Sequence, residues 1–408
     1  MRIVLSTVGS TGDVQPLLAL AMGLRARGHE STVAIPADAT GRAAALGLRA
    51  VAIGPRLSEQ ERRAIGQSIN DVPDTAHQAG RFLEALLPSL PAMYDTLLEL
   101  SADADVLIGS PFHPACRMVH ERLGVPYASL HLSQFGDLGS PTLRRMTADL
   151  INPYRERAAL PALRDPLGVD GNSPQLALYA VSPLLLRRPP HWPSHHHVTG
   201  FLFLDEPAYQ PDPALEAFLH GEPPIVITFG STVHANAAAV TTRLVEAIAL
   251  TGRPALIQEG WSGLGSTSLP SSVRIVSYVP HAWLLPRACV VVHHGGAGTT
   301  AAAFRAGVPT VIVPHTLDQP IWGALARAVG SASAVIPIAD LTARRLADAI
   351  HQACEPAWRA RAAAFGLRMR DEDGVATACD LIEQLAARRA DASAGARARP
   401  AAASRSTC

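Results

Sequence analysis

One stretch of this chain concentrates groups suited to holding a diphosphate: His293-His294-Gly295-Gly296-Ala297-Gly298-Thr299-Thr300, directly after an apolar run and before an alanine-rich helical pattern. Glycines let the backbone approach phosphate oxygens, threonine hydroxyls and a histidine can donate to them, and a helix N-terminus adds unpaired N–H groups and a favourable dipole. A tight structural turn is the plainer reading of a glycine pair. Two histidines and two threonines at one helix mouth weigh against it. Gly230-Ser231-Thr232 is a second such turn, weak alone, but strand ends of one doubly wound sheet converge on one crevice. Asp318 and Gln319 follow a further strand end, where their acceptors and donor suit sugar hydroxyls, while an aspartate there equally suits a helix cap. His195-His196-His197 has metal-ligand types, but adjacent side chains diverge and no acidic or Cys partner is suitably spaced, so a solvated linker is expected and no metal. His113 and His131 follow strand-like runs and are read as ordinary polar residues outside the catalytic set.

The elements that must position these groups alternate strand and helix. Arg2–Thr7 is a short β-prone run, followed by the turn Gly9-Ser10-Thr11-Gly12-Asp13, a helical pattern from Pro16 to Arg27, and a second strand at Glu30–Ile35. Leu48–Ile53 reads as a third strand, and the polar stretch near Gly54–Thr75 as loop. Ala104–Gly109 and Pro126–Leu130 read as strands around an Arg117–Leu123 helix. Prolines then crowd from Pro183 to Pro213, which predicts an extended hinge. After it the pattern restarts: strands at Pro224–Thr228, Ala255–Gln258, Val273–Val276, Val290–His293 and Thr310–Val313, with a helix over Ala237–Leu250. The expected division is a first α/β domain over 1–205, a connection over 206–222, a second α/β domain over 223–386 and a tail without structure over 387–408, since Ala, Arg and Ser there offer little to bury.

Composition excludes several classes of function. At 408 residues two cores are expected, and 48% hydrophobic residues suffice to fill them. A formal net charge of +0 provides no field to gather nucleic acid. The five cysteines are scattered without zinc-like spacing, which fits a reducing compartment, and the start lacks the pattern of a secretory signal, so the cytoplasm is expected. No apolar window is long enough to be an integral membrane segment.

With these motifs in this order, the chain resembles the glycosyltransferase family that includes plant secondary-product, sterol and bacterial antibiotic enzymes. The matching pieces are Gly9 to Pro16, Thr199-Gly200-Phe201 with Leu204-Asp205-Glu206-Pro207, Phe229-Gly230-Ser231, Gly260-Trp261, Tyr278-Val279-Pro280-His281, His294 to Thr300, and Gly307-Val308-Pro309 through Asp318-Gln319-Pro320-Ile321-Trp322-Gly323. The resemblance implies a GT-B fold, two Rossmann-like α/β domains facing each other across a cleft, with acceptor on the first and nucleotide sugar on the second. It implies an inverting, metal-independent hexosyl transfer that uses no cofactor beyond the nucleotide-sugar co-substrate. Carried over by position, Ser231, His294, Gly296, Gly298, Thr299 and Thr300 hold the diphosphate, Asp318 and Gln319 the hexose, and Tyr278 and Val279 flank the base. Asp13 is the implied general base, a role compatible with capping its helix, and Ser10 lies beside the acceptor. Tyr278 and His281 depart from the Trp and Gln of plant relatives, which leaves nucleotide preference open; UDP-glucose is favoured and a TDP-sugar remains an alternative. Sterol, polyketide and glycopeptide acceptors all stay open. A nucleotide-sugar epimerase or hydrolase, or a catalytically silent partner of another transferase, are the competing readings.

Overall fold

The computed structural model describes residues 1–72, 74–133, 140–205, 209–230, 232, 236–260 and 269–397. Every strand in it is parallel, and the thirteen strands form two sheets. The first contains β1 (Arg2–Ser6), β2 (Glu30–Ile35), β3 (Arg49–Ala52), β4 (Val106–Gly109), β5 (Tyr127–His131), β6 (Leu176–Tyr179) and β7 (His196–Val198), in the order β3-β2-β1-β4-β5-β6-β7. The second contains β8 (Ile225–Thr228), β9 (Ala255–Gln258), β10 (Val273–Val276), β11 (Val290–His293), β12 (Thr310–Ile312) and β13 (Ala332–Val335), ordered β10-β9-β8-β11-β12-β13. The central strands are buried on both faces, as parallel strands covered by helices must be; Val290, Val291 and Val292 are all fully buried.

Both orders reverse direction once, between β1 and β4 in the first sheet and between β8 and β11 in the second. At such a switch point the neighbouring connections leave in opposite directions and open a crevice at the strand ends. The Gly9–Asp13 turn follows β1, Gly230 follows β8, and the His293–Thr300 segment follows β11. The expected α/β architecture is therefore present twice, with each glycine turn at the crevice of its own sheet.

Several local expectations give way. The supposed loop before Thr75 contains a helix, Glu59–Asn70, whose Ser58 and Glu61 form a reciprocal capping box. His196 and His197 are not linker but edge strand β7, paired to β6; the His196 ring sits beside Tyr179, which stacks between His131 and Trp192. Aromatic packing and a free sheet edge outweigh the surrounding prolines. Within the expected connection, Asp212 caps a helix, Pro213–Leu219, whose Leu215 is buried in a core with Val226 and Leu256 of the second half. Just before it, Phe201 packs on Trp322, and Asp205 forms a bidentate pair with Arg305. Glu206 and Pro207 lie outside the described residues.

The end of the chain differs most from expectation. Helix Gly374–Arg397 continues past 387, in keeping with its Ala- and Arg-rich composition, and residues 398–408 lie outside the described ones. It does not close the second half. Ala378, Cys379, Ile382 and Leu385 are buried in the first core with Leu17, Leu20 and Leu24 of helix Thr11–Ala26. The two helices approach so closely that a Cβ on Gly23 would overlap the side chain of Val375. Arg27 bonds Asp380 at 2.5 Å and His29 bonds Glu383 at 2.8 Å.

Candidate active site

Helix Thr11–Ala26 begins earlier than Pro16 because Ser10 and Asp13 cap it. The Ser10 N–H donates to Asp13 Oδ2 at 2.7 Å and the Ser10 hydroxyl to the same oxygen at 3.2 Å, while Ser10 Oγ accepts from the Gly12 N–H. Gly9 carries a φ of +116°, and a Cβ there would collide with the Asp13 carboxylate, so the turn accepts only glycine. Asp13 is half-buried by area, but protein from both halves surrounds its carboxyl. Its pKa is raised from 3.8 to about 6. Burial is the main cause, the Asp318 carboxylate facing it adds to the rise, and the Ser10 bonds oppose it. A carboxylate poised near neutrality, at the crevice of its sheet, can take a proton at physiological pH.

The turn after β11 in the second half is built differently. The two histidines divide their roles: His293 is fully buried, its Nδ1 accepts from the Gly295 N–H at 3.1 Å, and burial beside His294 and His281 holds its pKa well below the usual value. It is a neutral structural residue. His294 instead lies over two glycines; a Cβ on Gly230 would come within 3.0 Å of its ring, and one on Gly296 would overlap Nε2. The turns after β8 and β11 are thus brought together around one imidazole. Gly296 occupies the N-cap of helix Ala297–Ala306 with extended backbone (φ −63°, ψ 145°) and no side-chain cap. The N–H groups of Ala297, Gly298 and Thr299 open that helix, with Gly298 exposed. Thr300 departs from expectation: it is fully buried and its hydroxyl donates to the Gly296 carbonyl at 2.9 Å, so its proton is engaged inside the helix. Ser231 lies outside the described residues, as does Trp261.

Asp318 sits at the N-cap position of helix Gln319–Ala328 yet does not cap it. Its Oδ2 accepts from the indole Nε1 of Trp322 at 2.7 Å, and Ser133 of the first half also faces it. Burial raises its pKa, against these hydrogen bonds. Gln319 is buried and its Oε1 accepts from the backbone N–H groups of His315 and Thr316 at 2.7 and 3.2 Å. Its oxygen therefore shapes the loop, which leaves the amide nitrogen as the group suited to a ligand. Leu317, which links Thr316 to Asp318, has a φ of +53°, a conformation that costs a non-glycine residue on the order of 1–2 kcal/mol.

Tyr278 and Val279 separate in the same way. Val279 is buried with Leu284 and Leu285, so only its backbone can meet a ligand. The Tyr278 ring is 46% exposed, and its hydroxyl accepts from Arg42 Nη2 of the first half at 3.0 Å. Among the described residues no three His, Cys, Asp or Glu side chains cluster as metal ligands would, and no helix is long and apolar enough to cross a membrane. His113 and His131 are buried, which lowers both pKa values to about 3 and keeps the rings neutral.

Two residues escaped sequence reasoning. Arg42 carried no local pattern. Gln78, a buried glutamine on helix Thr75–Leu86, accepts through Oε1 from the Leu317 N–H at 2.8 Å across the cleft. A buried amide facing a distant loop leaves no periodic signal.

Comparison with known proteins agrees with this geometry. Residues 3–134 match the glycosyltransferase family 28 N-terminal domain, and residues 256–385 the C-terminal domain of proteins like erythromycin biosynthesis protein CIII. The O-mycaminosyltylonolide 6-deoxyallosyltransferase of Streptomyces fradiae is 34% identical, over 96% of this chain and 99% of that protein. A sterol 3-beta-glucosyltransferase of Arabidopsis thaliana is 31% identical over 93% of this chain, which spans 64% of that longer protein. Among solved structures, the glycotransferase of kitacinnamycin superposes with a TM-score of 0.72 at 23% identity, over 94% of this chain and 98% of the other. The glycosyltransferase VinC, in complex with dTDP, gives 0.69 at 23% identity over 95% and 100%. At such identities the structural likeness speaks for the fold, two parallel-sheet halves of GT-B type.

Proposed function

Because the chain belongs to the glycosyltransferase family that these macrolide and sterol enzymes represent, we propose that it moves a hexose from a nucleoside-diphosphate sugar to a hydroxyl of a small lipophilic acceptor, with inversion and without a metal. The observations that carry this reading meet at the loop of Asp318 and Gln319: the Asp13 carboxyl, with a pKa of about 6, faces Asp318, and the turn that holds His294 below a helix N-terminus without a side-chain cap packs on Gln319, where a Cβ on Gly295 would come within 2.9 Å of the backbone oxygen.

In the proposed reaction the Asp13 carboxylate takes the proton of the acceptor hydroxyl as its oxygen attacks C1 of the sugar. The bond from C1 to the diphosphate oxygen breaks, and the nucleoside diphosphate leaves with the electron pair on the opposite face. Charge building there meets the open N–H groups of Ala297, Gly298 and Thr299 and the His294 imidazole, donors oriented before the reaction begins. Asp318 accepts from hexose hydroxyls and the Gln319 amide donates to them, while the Tyr278 ring edges the base. Relatives act on macrolide and sterol substrates, which supports a lipophilic acceptor. UDP-glucose is the favoured donor, and a TDP-hexose is the alternative to screen against it. The cytoplasm, where nucleotide sugars are made, is the proposed location.

The test is calorimetric titration of UDP-glucose, TDP-glucose and TDP-rhamnose into the wild type and His294→Ala. Binding of one donor, lost in the variant, supports the assignment. A wild type that binds none of them overturns it.

A further inference from the structure

Most contacts that shape the proposed hexose subsite come from the second half: Trp322 holds Asp318, and the His315 and Thr316 amides hold Gln319. Two groups of the first half reach it as well: Ser133 faces Asp318, and Gln78 meets Leu317. The Leu317 backbone is in the left-handed region, which a leucine leaves readily unless something holds it. The group that holds it belongs to the other half. Gln78 is 6% exposed and its amide is used at both ends: Nε2 donates to the Val72 carbonyl at 3.0 Å, and Oε1 accepts from Leu317 N–H at 2.8 Å. The side chain is therefore fixed within the first half and presents one acceptor to the second. Its helix, Thr75–Leu86, is itself held in place: Asp74 caps it, and Gly80 lies so close to Met146 of helix Pro141–Arg157 that a Cβ there would come within 2.8 Å of the sulfur.

We propose that Gln78 is a positioning residue that completes the hexose subsite from the acceptor half, by holding the strained Leu317 backbone that aims Asp318 and Gln319. The inference rests on the assignment of those two residues to the sugar. Its consequence is that the two parts of a nucleotide sugar are read differently. The diphosphate meets groups of the second half alone, around His294 and helix Ala297–Ala306. The sugar meets a loop that takes its shape only when the halves are together. A nucleoside diphosphate without sugar is indifferent to Gln78, and a nucleotide sugar is not.

The experiment compares binding of the nucleoside diphosphate alone with binding of the matching nucleotide hexose, by calorimetry, on wild type, Gln78→Leu and Leu317→Val. Gln78→Leu removes the acceptor; Leu317→Val leaves Gln78 intact and strains the same backbone from the other side, because a β-branched residue tolerates this conformation poorly. Each is expected to weaken the nucleotide sugar by about tenfold, the size of one buried hydrogen bond, and the bare diphosphate by less than about twofold. Adding Leu317→Gly to Gln78→Leu is expected to recover part of the loss, since glycine adopts a positive φ without strain. Equal weakening of both ligands, or no change in either, overturns the proposal. If Gln78→Leu fails to fold, Leu317→Val decides: sugar binding equal to wild type overturns it. A wild type that binds the diphosphate but no nucleotide sugar removes the assignment of Asp318 and Gln319 along with this inference. A wild type with normal donor binding and no split removes this inference alone.

Discussion

The turns after β1 and β11 share one plan, a parallel strand feeding a helix at a switch point, and differ in what stands at the helix cap. After β1 the cap is Ser10, with Asp13 three residues on, and the side chains of the turn satisfy its own backbone donors. After β11 the cap is Gly296, which has no side chain to offer, so no cap side chain takes up the first N–H groups. One residue type at one position thus separates a helix mouth that holds a carboxylate from one that can receive a diphosphate. The glycines follow the same division: Gly9 makes room for Asp13, and Gly230 and Gly296 make room for His294.

The most severe way to break this pairing is Asp13→Asn. The amide still accepts from Ser10 but takes no proton, so kcat is expected to fall by about a thousandfold while donor affinity, measured by calorimetry, stays within about threefold. The same variant carries a stability signature. Between 3.8 and about 6 the folded protein keeps a proton on Asp13 that the unfolded chain has lost, so stability falls as pH rises through that window. Asp13→Asn is therefore expected to melt higher than wild type at pH 8, with the gap closing below pH 4; an unchanged melting difference across that range would contradict a raised pKa.

Gly296→Ser tests the other side by placing a cap where none exists. A serine there competes for the open N–H groups and presses on His294, and donor and bare nucleotide are both expected to bind about tenfold or more weakly. Smaller in size is Ser10→Ala, which removes a hydroxyl that lowers the Asp13 pKa. Helix capping suffers by about 1 kcal/mol, and because the proposed base must be deprotonated, the acidic limb of kcat/KM is expected to move to higher pH. A limb that moves down would show that something other than Asp13 titrates there. Smallest is Thr300→Val, which keeps the shape and loses a hydroxyl already engaged by the Gly296 carbonyl; donor affinity is expected to change by less than about twofold.

What could be read from the sequence was whatever local chemistry enforces. Strands such as Val290–His293 are continuous apolar runs, and glycine turns mark where the backbone must bend or be approached, so both sheets and both crevices were legible. Helix Glu59–Asn70 was not read: few apolar residues follow its capping pair Ser58 and Glu61, so the segment reads as polar loop. Side-chain direction was not legible. His293 and His294 are adjacent and identical, yet one points into the core and the other into the cleft. Val279 and Thr300 carry motif positions whose side chains are inside. Contacts between halves, Gln78 to Leu317 and Arg42 to Tyr278, join residues more than 230 apart and depend on how the sheets face each other. β7 was missed because proline density masks a strand whose support is the sheet edge beside it.

The last helix has a consequence for how the chain is made and recombined. Its apolar face covers Leu17, Leu20 and Leu24, so a nascent chain that has finished its first sheet still exposes a greasy strip until residues near 385 have left the ribosome. The first half is thus sequence-discontinuous: its fold is closed by the far end of the polypeptide. A chimera spliced at the connection, pairing one chain's first half with another's second half, must carry residues from Gly374 onward with the first half. Otherwise it inherits a foreign clamp where Arg27 and His29 expect Asp380 and Glu383.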